Sequence, residues 1–409
     1  MPARCRLCGH SLDHVFADLG TTPLANAFLS EGQLRDPESY YPLKALVCGG
    51  CYLVQLDVPV PPATIFQRYP YFSSYSDTLL ATSRRFADDV AARLRLDRGD
   101  RVIEIASNDG YLLQYFRARG LDVLGIEPAA NIATVARSKG IPTIEGFFGA
   151  DLARELAAQN TRPSLIVANN VLAHVPDING FVAGLRQLIR PGGLITLEFH
   201  HLLRLMTGRQ FDTIYHEHFQ YFSLMTAASA FATHDLAVVD VEEITAQGGS
   251  LRVYVQRRED AGPPDPRVSQ VLAAEQEIGL ATPGPYLRFQ RQVGAVKLQL
   301  LAFLVAARQS GKRVAAYGAA AKGNTLLNSC GIASDLVEYA VDRSPHKQGL
   351  FLPGSRIPIY HPDRVLETKP DYLLILAWNL RDEIAAQMSV IRDWGGRFVV
   401  PIPELAVVS

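Results

Sequence analysis

Cysteine is scarce in this chain, five among 409 residues, which excludes a disulfide-stapled secreted scaffold. An excess of charge of one sign is missing too. The formal net charge of -1 gives no electrostatic reason to expect nucleic acid or an anionic membrane as a partner. No apolar run approaches the roughly 20 residues that span a bilayer, so no membrane partner is expected. The opening Met1-Pro2-Ala3-Arg4-Cys5 lacks an apolar signal core, and the expected location is the cytoplasm. What remains is an ordinary globular balance, 48% hydrophobic and 20% charged residues, with disorder confined to short connections. The length exceeds what one hydrophobic core supports, so two or three domains are expected. No short-period repeat is visible. Nothing in the plan calls for a second copy, so a monomer is expected.

Four of the five cysteines form two close pairs, Cys5-Arg6-Leu7-Cys8 and Cys48-Gly49-Gly50-Cys51. Two residues between thiolates let both sulfurs reach one ion from a tight turn, and two such turns complete a tetrahedral site. Gly9, Gly49 and Gly50 suit turns this sharp. The 39 residues between the pairs, positions 9 to 47, exceed the spacing of a compact zinc ribbon. With four cysteine ligands no position is left for substrate, so the expected zinc is structural and takes no part in chemistry. Cys330 stands alone and reads as buried filler.

Residues 1–85 therefore read as a zinc-binding module that ends in an aromatic connection, Tyr69-Pro70-Tyr71-Phe72-Ser73-Ser74-Tyr75. Phe72 fits a packing seam. Tyr69 and Tyr71 fit a seam or a lid over a polar substrate equally well. From 86 to 258 strands and helices alternate: Arg101–Ile105, a turn Ala106-Ser107-Asn108-Asp109-Gly110, then a helix; Asp122–Ile126 ending in Glu127; Ser164–Ala168 running into Asn169. Residues 259–310 look helical and form a bridge. A second alternating unit, 311–409, opens with the strand Arg313–Tyr317 and the loop Gly318-Ala319-Ala320-Ala321-Lys322. The expected fold class is α/β, with two Rossmann-like domains behind the zinc module.

A strand, a small-residue turn and a helix make a generic nucleotide pocket. Ala106 stands where a dinucleotide fingerprint has glycine, which argues against a nicotinamide dehydrogenase. Glu127, at the end of the next strand, suits two ribose hydroxyls. Together with the Arg190-Pro191-Gly192-Gly193 turn, these features resemble the class I S-adenosylmethionine-dependent methyltransferases. That cofactor has no pyrophosphate. Its methionine carboxylate would use the backbone near Gly110, with Asn108 and Asp109 at polar methionyl atoms. Asn169 joins the cofactor set. Phe147 and Phe148 could flank the adenine, although Phe148 reads equally as core.

The densest cluster of reactive side chains is Tyr215-His216-Glu217-His218. In extended chain Tyr215 and Glu217 would share one face, with His216 and His218 on the other. A metal pair and a polar domain edge are alternatives to acid–base catalysis. Methylation of carbon beside a ketone needs a base, and an imidazole with a reference pKa of about 6.5 can serve near neutrality. A phenol or second imidazole can then stabilise the enolate.

The cysteine pairs, the Tyr69-x-Tyr71 stretch, Ser107-Asn108-Asp109-Gly110, Asn169-x-x-x-x-His174, Leu188-x-Arg190-Pro191-Gly192-Gly193, Tyr215-x-Glu217-His218-Phe219 and Tyr317-Gly318-Ala319-x-Ala321-Lys322 together resemble the deoxysugar C-methyltransferases. The resemblance runs through nearly the whole chain. It implies methylation of a nucleotide-linked 4-keto-deoxyhexose, in routes to branched sugars of antibiotics or polysaccharides, at carbon three or, alternatively, carbon five. It implies His218 as base, Tyr215 and Tyr69 at the reacting carbon and oxygen, Glu217 and His174 assisting, and Tyr71 and Tyr75 at the substrate. It also implies a nucleotide diphosphate, dTDP by expectation, held by Tyr317, Gly318 and Lys322. Two departures stand out: Ala106 for glycine, and a lid whose Phe72-Ser73-Ser74-Tyr75 leaves an amino substituent on the sugar unassigned. A zinc-ribbon binding protein with an inactive methyltransferase fold, and an oxygen methyltransferase, are the rival readings.

Overall fold

A computed structural model describes residues 3–66, 72–75, 77–159, 162–245 and 248–408. The strands in chain order are β1 (His14–Thr22), β2 (Tyr41–Val47) and β3 (Val54–Leu56); then β4 (Arg101–Ile105), β5 (Asp122–Glu127), β6 (Thr143–Glu145), β7 (Leu165–Asn169), β8 (Leu194–His200), β9 (Gln220–Tyr221), β10 (Leu236–Ile244) and β11 (Ser250–Arg257). The last group is β12 (Val314–Tyr317), β13 (Ala340–Val341), β14 (Ile359–Tyr360), β15 (Tyr372–Ile375), β16 (Arg397–Val400) and β17 (Ala406–Val408).

The central sheet runs β10-β11-β8-β7-β4-β5-β6. Strands β4 to β8 pair in parallel, whereas β11 inserts antiparallel between β8 and β10. A dinucleotide sheet keeps its last strand parallel at the edge, so this inserted reversed strand separates the fold from the dehydrogenase reading. Strands β4, β7 and β8 are mostly apolar and largely buried on both faces, as parallel strands covered by helices must be. The C-terminal sheet runs β14-β13-β12-β15-β16-β17, parallel except for β17. This is the open doubly wound order, and its ligand edge lies outside the carboxyl ends of β12 and β15. The expected α/β plan, with a second Rossmann-like sheet and a small cysteine-bearing module, is what the chain adopts.

Two features concern how the parts join. The antiparallel sheet β1-β2-β3 takes its fourth strand, β9, from the middle of the chain, with Val54 opposite Tyr221 and Gln55 opposite Gln220. One apolar core also runs from Phe16 and Leu43 of this small sheet, through Tyr286, Phe289 and Leu300 of the helix Pro283–Gln309, to Ala316 and Leu374 of the C-terminal sheet. Phe16 stacks on Phe289 with ring centroids 4.4 Å apart. Trp378 and Lys322, which follow β15 and β12, also reach Asp212 and the His200 end of β8. Among the described residues no helix is long and apolar enough to cross a membrane.

Candidate active site

The four cysteine sulfurs lie within 4.8 Å of one another, with Cys5 to Cys51 at 3.6 Å and Cys8 to Cys48 at 3.5 Å. A zinc–sulfur bond of about 2.3 Å in a tetrahedron puts sulfurs about 3.8 Å apart, so the cage fits the ion. Donors supply the outer contacts that thiolates need. Gln55 Nε2 donates to Cys5 Sγ at 3.2 Å, and the Gly50 amide donates to Cys48 Sγ at 3.3 Å. The first cysteine turn also reaches inward. Arg6 donates to the carbonyls of Leu56 at 2.7 Å and Phe219 at 3.1 Å. Phe219 follows His218, so the metal turn grips the segment that carries the imidazole.

At the cofactor turn, Ala106 has φ 54° and Asn108 φ 47°. Both sit in the left-handed region where glycine is at ease. Ala106 therefore adopts the conformation of the glycine it replaces, at a cost in strain rather than in shape. Gly110 is constrained twice: φ is 80°, and a Cβ there would meet Ile141 Cγ1 at 2.7 Å. Glu127 is buried. Its two oxygens accept from the amides of Asn108 at 3.0 Å and Ala129 at 2.9 Å, which leaves one lone pair on each for a ribose hydroxyl. Burial raises its carboxyl above the usual range. Beneath it Glu104 is pushed well above that range by burial and by the neighbouring Glu127. At the end of β7, Asn169 Oδ1 is a buried acceptor with no hydrogen-bond partner. An orphaned acceptor and a half-used carboxylate, at the carboxyl ends of β7 and β5, fit a nucleoside cofactor.

Two expected cofactor residues are engaged elsewhere. Asp109 takes the Ser74 hydroxyl and, at 2.7 Å, the Lys139 ammonium, while Asn108 Oδ1 accepts the Ser73 amide at 2.9 Å. The aromatic connection is thus clasped to the cofactor turn. Phe148 packs edge-on against Phe181 at 5.4 Å within the core, and Phe147 is 55% exposed. Tyr75, 72% exposed, faces His346 of the C-terminal half at 5.9 Å. Tyr69 and Tyr71 lie outside the described residues.

The Tyr215–His218 stretch is not extended. Its two middle residues form a turn closed by the His218 amide on the Tyr215 carbonyl at 2.9 Å. This corrects the two-face reading: the rings of Tyr215 and His218 come together at 4.1 Å. His216 turns away to the Pro42 carbonyl at 3.2 Å, so the two histidines of the stretch do not act as a pair. His174 meets His218 edge to face at 4.8 Å. Glu217 accepts from Asn26 Nδ2 at 2.5 Å.

His218 Nδ1 lies 2.9 Å from the Thr213 carbonyl. A carbonyl only accepts, so Nδ1 carries the hydrogen and a neutral ring keeps its lone pair on Nε2. Burial, then the neighbouring His174, holds His218 well below its ordinary pKa. Burial takes His174 down to about 4 and His200 to about 3. The same burial raises the Tyr215 phenol well above its usual value. The site thus holds a neutral imidazole beside a phenol that stays protonated.

Residues 5–66 match a family model described as a zinc binding domain, and residues 79–241 one described as a methyltransferase domain. Residues 245–403 match a C-methyltransferase C-terminal domain. The C-methyltransferase NovU of Streptomyces niveus is 38% identical over 407 residues, 99% of this chain and 96% of its own length. The chain belongs to the C-methyltransferase family. A ubiquinone biosynthesis O-methyltransferase of Azorhizobium caulinodans is 28% identical over only 27% of this C-methyltransferase, which spans 44% of that relative. Among solved structures, the PH0226 protein of Pyrococcus horikoshii OT3 aligns with 48% of this chain and 97% of its own, at 12% identity and a TM-score of 0.38. The C-methyltransferase uses S-adenosylmethionine as methyl donor and carries a zinc site of four cysteines.

The C-terminal half of this C-methyltransferase reaches the turn just before Tyr215. Trp378 Nε1 donates to Asp212 Oδ2 at 2.6 Å, and Lys322 Nζ lies 5.1 Å from the centre of the Trp378 ring. Gly318, φ 99°, lets the loop after β12 pass Ala377, whose Cβ would sit 3.3 Å from an added one. Tyr317 donates to Gln387 at 3.0 Å and lines a cavity of about 420 Å³ with Arg343 and His361. Sequence reasoning missed Asp212, Trp378, His200, Arg6, Ser74 and Lys139. Each acts through a partner distant in sequence. Asp212, three residues before Tyr215, is the one that its nearness to the histidine stretch could have flagged.

Proposed function

We propose that the acceptor is a nucleotide-linked 4-keto-deoxyhexose, methylated at carbon three beside its ketone. The observation that carries this is the His218 imidazole, neutral, with Nδ1 tied to a carbonyl and Nε2 left to act as base. Carbon methylation requires such a base, because the proton beside the ketone must leave before the methyl arrives. S-adenosylmethionine supplies an electrophilic methyl and its sulfur keeps the bonding pair. His218 takes the proton next to the ketone. Tyr215, and Tyr69 by the family resemblance, hydrogen-bond the oxygen that gains charge, while Glu217 and His174 orient the neighbouring groups.

The remaining roles follow the domain plan. Residues 1–85 bear zinc and lid, 86–258 bind the donor with Ala106, Asn108, Asp109, Gly110, Glu127, Phe148 and Asn169, and 259–310 connect. Residues 311–409 hold the nucleotide, with dTDP as the proposed form, through Tyr317, Gly318 and Lys322; Tyr71 and Tyr75 close over the sugar. The Tyr317 cavity and the doubly wound order support this assignment. The enzyme would act as a monomer. The test is incubation with donor and a panel of nucleotide 4-keto hexoses, followed by NMR location of the methyl. A methyl at carbon five moves the position, and no transfer to any member of the panel sinks the substrate class.

A further inference from the structure

We propose that Lys322 is a catalytic residue of the methyl-transfer site, its ammonium group meeting the enolate oxygen that forms when His218 removes the proton. The inference rests on the acceptor chemistry above but changes the part that Lys322 plays in it, from diphosphate ligand to reaction partner.

Four observations converge on this. Lys322 is the second residue of the helix Ala321–Cys330, and that helix packs against the turn Phe211–Thr213. Its Nζ stands over Trp378, whose indole N–H is spent on Asp212. Asp212 Oδ1 is buried and accepts no hydrogen bond, so the carboxylate has capacity left for a cation or a substrate hydroxyl. Thr213, next in the chain, provides the carbonyl that orients His218. Cation, carboxylate and the residue that orients the base thus adjoin at the 211–213 turn, contributed by both halves of the chain.

The electrostatics agree with the geometry. Burial lowers the Lys322 amine and the Asp212 charge raises it; burial raises the Asp212 carboxyl to about 6 while Lys322 pulls it down. Each keeps the other ionised. The Lys322 charge also reaches His218 and His200 and pushes both imidazoles down. One ammonium then does two jobs: it adds to the burial that keeps the base unprotonated, and it offers the only kind of charge that an enolate oxygen favours. In the step itself the proton passes to His218 Nε2. The C–H pair becomes the new carbon–carbon π bond, and the carbonyl π pair moves onto oxygen, where Lys322 stands. For the diphosphate, Arg343 and His361 line the cavity beyond Tyr317, so phosphate binding does not need Lys322.

The experiment uses the full-length zinc-loaded enzyme without donor, so that proton removal is read apart from methyl transfer. Exchange of the substrate hydrogen next to the ketone is followed by NMR in heavy water, and dTDP affinity by calorimetry, for wild type, Lys322→Met and Lys322→Arg. Loss of one preorganised stabiliser predicts exchange slowed about 100-fold or more in Lys322→Met, about a tenth or more retained in Lys322→Arg, and dTDP affinity within about threefold. Normal exchange with dTDP affinity lost makes Lys322 a diphosphate ligand and overturns the proposal. Absence of exchange in the wild type with every 4-keto nucleotide instead overturns the acceptor chemistry, and the proposal with it. If Lys322→Met does not fold, Lys322→Gln is measured in its place against the same outcomes.

Discussion

A single hydrogen bond decides what His218 can do. With Nδ1–H on the Thr213 carbonyl, the basic nitrogen is Nε2, and burial keeps it unprotonated. The folded pKa lies below the ordinary value of about 6.5, so the active form is fully present above that pH and is lost only as pH falls through the depressed value. We expect the acid limb of kcat/KM, which reports the free enzyme, to fall clearly below pH 6.5; a limb at or above it would remove His218 from the base role. His218→Gln should lower substrate hydrogen exchange by about 100-fold to 10,000-fold. Ala106 carries a different residue-scale lesson. Its φ of 54° is strain that glycine would not feel, and relief of that strain outweighs the extra freedom glycine gains on unfolding. We expect Ala106→Gly to raise stability by about 0.5–1 kcal/mol, read as a higher urea midpoint with unchanged slope.

At the scale of elements, the reactive segment is held in place by its neighbours. Strand β9 has two residues, too few to fix its own register. It is pinned by pairing with β3, by the Leu56 amide on the Phe219 carbonyl at 2.9 Å, by the Phe219 amide on Ala173 at 2.7 Å, and by Arg6. Ala173 precedes His174, so one residue ties both imidazole segments together. Arg6→Ala should cost about 2–4 kcal/mol, since two carbonyls lose a charged donor. Because the loss falls on the segment that bears the base, kcat should drop more than KM rises. A change confined to KM would mean that the zinc turn does not position His218.

Over the whole molecule, the apolar core shared by the small sheet, the long helix and the C-terminal sheet makes the zinc module part of one cooperative body. Zinc removal by a chelator should therefore lower the thermal transition of the bulk of the chain and abolish substrate hydrogen exchange together. Melting of a small separate transition, with exchange intact, would show the module to be an independent appendage. The same continuity lets residues 220–221 complete a sheet that begins at residue 14.

The cysteine spacing and the alternation of strand and helix were legible from the chain alone, because each is a local pattern set by near neighbours. Only the tertiary structure decided that His216 turns to Pro42 while His218 turns to Thr213, that Asp109 accepts from Ser74 and Lys139, and that Lys322 and Trp378 come to Asp212 from the other half of the chain. The reason is physical. A side chain's identity is written in sequence, but its protonation, hydrogen-bond partners and aim depend on burial and on groups that packing brings from far along the chain.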